Sequence, residues 1–308
     1  MNIKNVAIVG GGMMGKNIAL VFSSNPEYRI GVYDIYPTDV HAGIRKNCAQ
    51  LLEKGIITEE ELEQRLSRIS FTTDLESDLI RNADFIVEAV FEDMNVKRET
   101  FAKLEACCRP DTIFCTNTSV MSPSEISRDL KYRGRFAGTH FWNPGHLIPL
   151  VEVIKSDATT DETAQTVMDV LKGVGKEPVL CKKDVPGFIA NRMQHALWRE
   201  AISIVENGIA DAETVDKAVR YSFGLRLPQL GPLENSDMVG TELTYNIHDY
   251  ILPALEDSHK PSKLLSQMKE EGKMGFKSGE GFMKWTPEEV EKANADLSAY
   301  LIRMLYGK

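Results

Sequence analysis

Glu152 stands inside an otherwise apolar segment, Leu150-Val151-Glu152-Val153-Ile154. A carboxylate buried there is strongly unfavourable unless it is paired, so it calls for a partner. His140 ends the preceding apolar segment, within Gly138-Thr139-His140-Phe141-Trp142-Asn143-Pro144, and a return through residues 143–149 brings it opposite Glu152. A carboxylate beside an imidazole fixes its tautomer and stabilises the imidazolium, as a general base working near neutral pH requires. The spacing alone fits a structural His–Glu hydrogen bond equally well. A further polar turn, Asn117-Thr118-Ser119, falls where a buried strand would end.

A second chemistry-bearing pattern lies near the start. Gly10-Gly11-Gly12-Met13-Met14-Gly15 follows the apolar run Val6–Val9 and opens a helix through Lys16–Leu20. In a G-x-G-x-x-G turn, Gly10 permits the tight bend and Gly12 lets a pyrophosphate approach bare backbone at a helix N-terminus. Gly15 lets that helix pack close to the strand. Asp34 ends the next strand-like run, 34 − 15 = 19 residues after Gly15, where an acid accepts from the adenosine ribose hydroxyls. A carboxylate there repels a 2′-phosphate, and Ile35 and Tyr36 follow rather than Arg, so NAD is expected over NADP. A ligand-free turn and an FAD site are the alternatives.

The elements that must position these groups follow from the patterning. Strand-like runs at 5–9, 29–33, 69–72, 85–88, 113–116, 136–140 and 150–154 alternate with helical patterns such as 14–23 and 95–108. Alternation of this kind predicts a mostly parallel sheet covered on both faces. Residues 37–68 form a charged insertion that reads as a helical hairpin jointed at Lys54-Gly55, or as two crossover helices. Beyond Pro186-Gly187 helical patterns dominate, at 190–207, 212–221, 236–252 and 287–304. The expected class is therefore α/β. A Rossmann-type domain over residues 1–184 precedes an all-helical substrate and dimerisation domain over 185–308.

Composition is that of a globular protein, 43% hydrophobic and 26% charged. A net charge of −9 argues against general nucleic-acid binding. No apolar run approaches a membrane span. The first strand-like run begins almost at Met1, leaving no room for a signal peptide, which gives a cytoplasmic expectation. Five cysteines without CxxC spacing read as reduced thiols, with no metal site expected.

Taken together, the segments resemble those of the L-3-hydroxyacyl-CoA dehydrogenase family over essentially the whole chain. The motifs that carry the resemblance are Gly10–Gly15, Val87-Glu88-Ala89 with Glu92, Asn117–Ser119, His140–Pro144, Leu150–Ile154 and Pro186–Arg192, in the family's order. The resemblance implies NAD-dependent oxidation of a 3-hydroxyacyl-CoA to the 3-oxoacyl-CoA. In that reading His140 takes the hydroxyl proton, Glu152 orients and balances it, and Ser119 and Asn191 bind the reacting oxygen or a neighbouring carbonyl. Asn143 seats the nicotinamide side, while Glu92 and Lys97 lie along the cofactor with Gly10, Gly12, Met13, Met14, Gly15, Asp34, Ala89 and Asn117. Lys277 reaches the cofactor from the second domain, and the helical domain forms a homodimer. Read as residues alone, Ser119 and Asn191 also suit helix capping, Lys277 a solvated loop, and His146 and His195 packing or surface positions.

One segment departs from the family. Its usual Pro-Met-Gly-Pro-Phe-Glu-Leu stretch is replaced by Gly224–Glu234, which brings in Arg226. It enters a wall expected to be apolar, and a buried arginine wants a carboxylate or phosphate: Glu234 or Asp237, or the substrate's own carboxylate. Gulonate-type relatives carry a comparable arginine, and Trp142–Pro149 resembles branches acting on small carboxylated substrates such as a pyridine carboxylate. The alternative function is therefore the same oxidation of a free small hydroxy acid, gulonate-, carnitine- or pyridine-carboxylate-like, with Arg226 on its carboxylate. The insertion leaves the choice open: Arg45, Lys46, Lys54, Arg65 and Arg68 suit CoA phosphates, but Glu59, Glu60, Glu61 and Glu63 oppose them. A third possibility, a nucleotide-binding sensor without turnover, sits poorly with His140, Glu152, Ser119 and Asn191 together.

Overall fold

Short apolar runs bounded by glycine and polar turns become strands because each is buried on both faces by helices. The computed structural model describes residues 3–307. Its strands are β1 (Asn5–Val9), β2 (Arg29–Tyr33), β3 (Ile69–Thr72), β4 (Phe85–Glu88), β5 (Ile113–Thr116), β6 (Phe136–Phe141), β7 (Leu150–Lys155) and β8 (Glu177–Cys181). They form one sheet in the order β3-β2-β1-β4-β5-β6-β7-β8, parallel except where β6 meets β7. That pair is antiparallel because only residues 142–149 join the two strands, too few for a crossover.

The first helices are α1 (Met13–Phe22), α2 (Val40–Glu53), α3 (Glu59–Leu66), α4 (Asp78–Arg81), α5 (Met94–Cys107), α6 (Pro123–Ile126) and α7 (Asp161–Gly173). One face of the sheet packs against α1, α2, α3 and α7 through Ile18, Ile44, Leu62 and Val167, among others. The other packs against α4, α5 and α6 through Ile80, Phe101, Leu104 and Ile126. The insertion is a pair of helices, α2 and α3, with Gly55 at a φ of 60° in the joint and Thr58 and Glu61 forming a reciprocal cap.

The remaining helices are α8 (Ala190–Glu206), α9 (Ala212–Arg220), α10 (Pro232–Val239), α11 (Thr241–Ile251), α12 (Lys263–Glu270) and α13 (Pro287–Tyr306). The chain divides into two units, one running to Ala190 and resuming at Ala295, the other spanning Asn191–Asn294. The sequence expectation placed one boundary at 184/185; by contacts the division falls at 190/191, and the chain returns to the first unit at Ala295. The last turns of α13 belong to the first unit, where Ile302 is buried in the sheet core and Leu301 packs on it. The helix expected over 236–252 is broken in two at Gly240, whose φ of 101° no helix accommodates. β8 was not expected; Pro178 disguises it, and it is tolerated on a sheet edge. No described helix is long and apolar enough to cross a membrane.

Candidate active site

The carboxyl end of β1 runs into the glycine turn, and that of β2 into Asp34. Gly10 has a φ of 111°, and a Cβ on it would lie 2.5 Å from the Ala89 carbonyl oxygen. A Cβ on Gly15 would lie 1.8 Å from the Gly10 oxygen, so the turn and α1 close only with glycine at both places. Gly12, in contrast, faces open space and caps α1 with no side chain, leaving the first-turn N–H groups available to an anion. Asp34 accepts from the Gly11 N–H at 2.7 Å and the Tyr36 N–H at 3.1 Å, which fixes its carboxylate beside the turn. Met13 is exposed, and Met14 packs against the sheet core. These residues fit a dinucleotide: bare donors for the diphosphate, a fixed acid for the ribose.

At the ends of β4 and β5 lies a cluster of buried charge. Glu88 is fully enclosed and accepts from Lys97 Nζ at 2.7 Å, Thr116 Oγ1 at 2.7 Å and the Val90 N–H at 2.8 Å. Burial pushes its carboxyl up, opposed by Lys97. Lys97 also reaches Glu92 at 3.1 Å, and Glu92 accepts from the Thr118 hydroxyl and from the Ser119 N–H at 3.0 Å. Lys97, expected along the cofactor, is itself wholly enclosed between Glu88 and Glu92. Asn117 accepts the Phe141 N–H at 2.9 Å, tying the end of β5 to the residue beside His140.

His140 and Glu152 are register partners across β6 and β7, so their side chains share one face. His140 Nδ1 lies 2.8 Å from Glu152 Oε2, and both residues are buried. Glu152 Oε2 also accepts from Trp142 Nε1 at 3.3 Å, and Oε1 from the N–H groups of Ile189 and Ala190 at 2.8 and 2.9 Å. Those two donors are aimed by the Gly187-Phe188 turn, with φ of 76° and 51°. Burial alone raises a carboxyl, but the hydrogen bonds from His140, Ala190 and Ile189 win and hold Glu152 below its ordinary value. The Phe188 and Trp142 rings stand 5.8 and 5.3 Å from the imidazole. Neither was singled out from the sequence, although both lie in the motifs that carry the resemblance.

The loop over 142–149 is anchored from outside. Buried Lys176 donates to the Gly145 and Ile148 carbonyls, each at 2.7 Å, and burial lowers its pKa to about 8. His146 Nδ1 lies 3.0 Å from Asn17 Oδ1 on α1, and burial, with Lys176 nearby, lowers its pKa to about 4. A base held neutral in the fold costs stability wherever the unfolded chain binds its proton. Stability therefore falls as pH drops from about 6.5 to about 4, by roughly 2–4 kcal/mol for this group. In a His146→Asn variant, urea titrations should show a shallower loss over that window; an unchanged slope would remove His146 from the account.

Asn143 is exposed in the loop. Asn191 is the first residue of the second unit, which also carries Arg226 and Lys277, both exposed. Arg226 makes no ion pair among the described residues, and Glu234 instead accepts the Gly231 N–H at 2.8 Å. Of the bases suited to CoA phosphates, Arg45 is paired with Glu63, and Arg68 donates to the Gln64 and Ser23 carbonyls.

The family model for the 3-hydroxyacyl-CoA dehydrogenase NAD binding domain matches residues 5–185. The chain belongs to the 3-hydroxyacyl-CoA dehydrogenase family. The model of that family's C-terminal domain matches residues 187–285, which leaves α13 outside both. The chain is 36% identical to a probable 3-hydroxybutyryl-CoA dehydrogenase of Bacillus subtilis, over 92% of this chain and 97% of that one. It is 29% identical to the 5-formyl-3-hydroxy-2-methylpyridine 4-carboxylate 5-dehydrogenase of Mesorhizobium japonicum, over 99% of both. A crystal structure of an enzyme of that activity, described as an NAD+ dependent dismutase, superposes with a TM-score of 0.89 over the full length of both chains at 29% identity. This dehydrogenase is NAD-dependent and acts on CH–OH groups.

Proposed function

We propose that this dehydrogenase oxidises the alcohol carbon of a small, carboxylate-bearing substrate, with His140 as base and Glu152 as its orienting partner. The observation that carries the proposal is the buried 2.8 Å contact between His140 Nδ1 and Glu152. Glu152, held ionised, only accepts, so Nδ1 carries the ring proton and Nε2 presents its lone pair. Nε2 makes no hydrogen bond among the described residues and is the atom that takes the hydroxyl proton. The imidazolium then formed is balanced by Glu152 and flanked by the Trp142 and Phe188 rings. When bound, NAD accepts the hydride from the same carbon. Ser119 and Asn191 donate to the reacting oxygen. Asn143, Asn117, Ala89, Met13, Glu92 and Lys277 are assigned to the cofactor.

Three observations support a free carboxylate as the substrate's handle. Arg226 is exposed without an ion pair, the bases Arg45 and Arg68 are already engaged, and the pyridine-carboxylate relative matches the chain through α13. Losing an arginine–carboxylate contact that the bound substrate buries costs about 2–5 kcal/mol. Arg226→Met should therefore raise KM for a carboxylate substrate about 30-fold or more, with kcat little changed. An unchanged KM sinks the anchor. The second reading, a 3-hydroxyacyl-CoA substrate, is favoured by the 36% identity to the Bacillus subtilis protein.

A homodimer is proposed as the working form. Among the described residues of the second unit only Ser203 and Met268 are buried, while Leu233, Met238, Tyr245 and Tyr250 are each more than two-thirds exposed. Light scattering at micromolar concentration should give twice the 34.5 kDa chain mass, and Leu233→Asp with Tyr250→Lys should lower it. A monomer in the unaltered protein contradicts this.

A further inference from the structure

We infer that the Glu88–Lys97–Glu92 cluster, enclosed at Glu88 and Lys97, is a specificity element for the cofactor's oxidation state, with Glu88 the residue that sets it. The inference rests on NAD binding and not on the choice of substrate. Strand order places the cluster. Asp34 at the end of β2 marks the adenosine side and the glycine turn after β1 the diphosphate, so the nicotinamide half falls on the opposite side of β1, over β4 and β5. Glu88 is the last residue of β4, and its partner Thr116 the last of β5.

The cluster holds two carboxylates and one ammonium. Three groups point donors at Glu88, the Val90 N–H, Thr116 hydroxyl and Lys97 ammonium, an arrangement built for a carboxylate rather than a carboxylic acid. Glu92 accepts from Lys97, Thr118 and the Ser119 N–H. With its three donors holding Glu88 ionised against the upward push of burial, one negative charge is left over, and water is excluded at the Glu88 end while Glu92 is 37% exposed. The oxidised nicotinamide ring is a cation and the reduced ring is neutral, so a fixed negative charge favours NAD+ over NADH. At an effective dielectric near 20, a unit charge at roughly 10 Å changes a cation's affinity about tenfold. Ser119, held by Glu92, is thereby tied to the same cluster.

The test is the dissociation constant of each cofactor form, measured by calorimetry on the intact protein without substrate. Glu88→Gln keeps the side chain's shape and removes the surplus charge, so Kd(NAD+)/Kd(NADH) should rise about tenfold, chiefly through weaker NAD+ binding. Should that variant not fold, Glu92→Gln, at the exposed end of the cluster, also removes one negative charge and should move the ratio in the same direction by a smaller factor. Thr116→Val removes a hydrogen bond to Glu88 but no charge and should leave the ratio within about twofold. A ratio unmoved by either glutamine variant overturns the inference. So does a Thr116→Val shift as large as theirs, which would make the effect one of packing.

Discussion

Replacing His140 by glutamine is expected to lower kcat by about a thousandfold, within the usual range for loss of a positioned general base. Glutamine has nearly the reach of the imidazole and can still meet Glu152, so the strand pair should survive and the melting temperature move little. NAD+ affinity should also hold, because the glycine turn and Asp34 lie at the ends of β1 and β2, several strands away. The split matters: turnover lost with cofactor binding intact assigns His140 to proton removal. A variant that turns over at more than about a tenth of the original rate would leave His140 as a packing residue in an aromatic cage.

The second large effect is expected at Glu152. Glutamine there must present its amide N–H to one set of partners. Facing His140, it donates to Nδ1 and forces the ring proton onto Nε2, where the lone pair is needed; kcat should fall about a hundredfold or more. Facing Ile189 and Ala190, it opposes two N–H donors at the start of α8. Both orientations lose a contact, so stability should drop as well. The pH dependence has a definite sign. The folded carboxyl sits below its ordinary 4.5, so its contribution is complete above that pH and is lost as pH falls through the depressed folded value. Acid unfolding of Glu152→Gln should lack this component. If its acid limb matched that of the unaltered protein, the carboxylate would not be held ionised by its four donors.

Much of this site could be read before any coordinates. Glu152 betrayed itself as a charge in an apolar strand, and the short link to His140 fixed an antiparallel register that makes the two face each other. The glycine turn and Asp34 were legible because Gly10 and Gly15 answer steric demands, while Gly12 leaves the helix N-terminus bare. Other features depend on long-range packing that no local pattern carries. Nothing near Lys97 announces that its ammonium is enclosed by Glu88, nine residues before it, and by Glu92. No local pattern around Lys176 signals burial, yet it clamps the loop after His140 through two carbonyls. The N–H groups that hold Glu152 come from a turn in which Phe188, a non-glycine residue, takes a left-handed conformation. α13 was read as the end of the second domain because amphipathic spacing says that a helix buries one face, not which neighbour it buries it against.

The most direct test of the central claim is NADH formation from NAD+ across paired substrates, small carboxylate-bearing alcohols on one side and the matching 3-hydroxyacyl-CoA thioesters on the other. The account predicts turnover with a free carboxylate substrate and little with the thioesters. Turnover confined to the thioesters would contradict it, leaving the His140–Glu152 chemistry in place but returning the substrate to the acyl-CoA class.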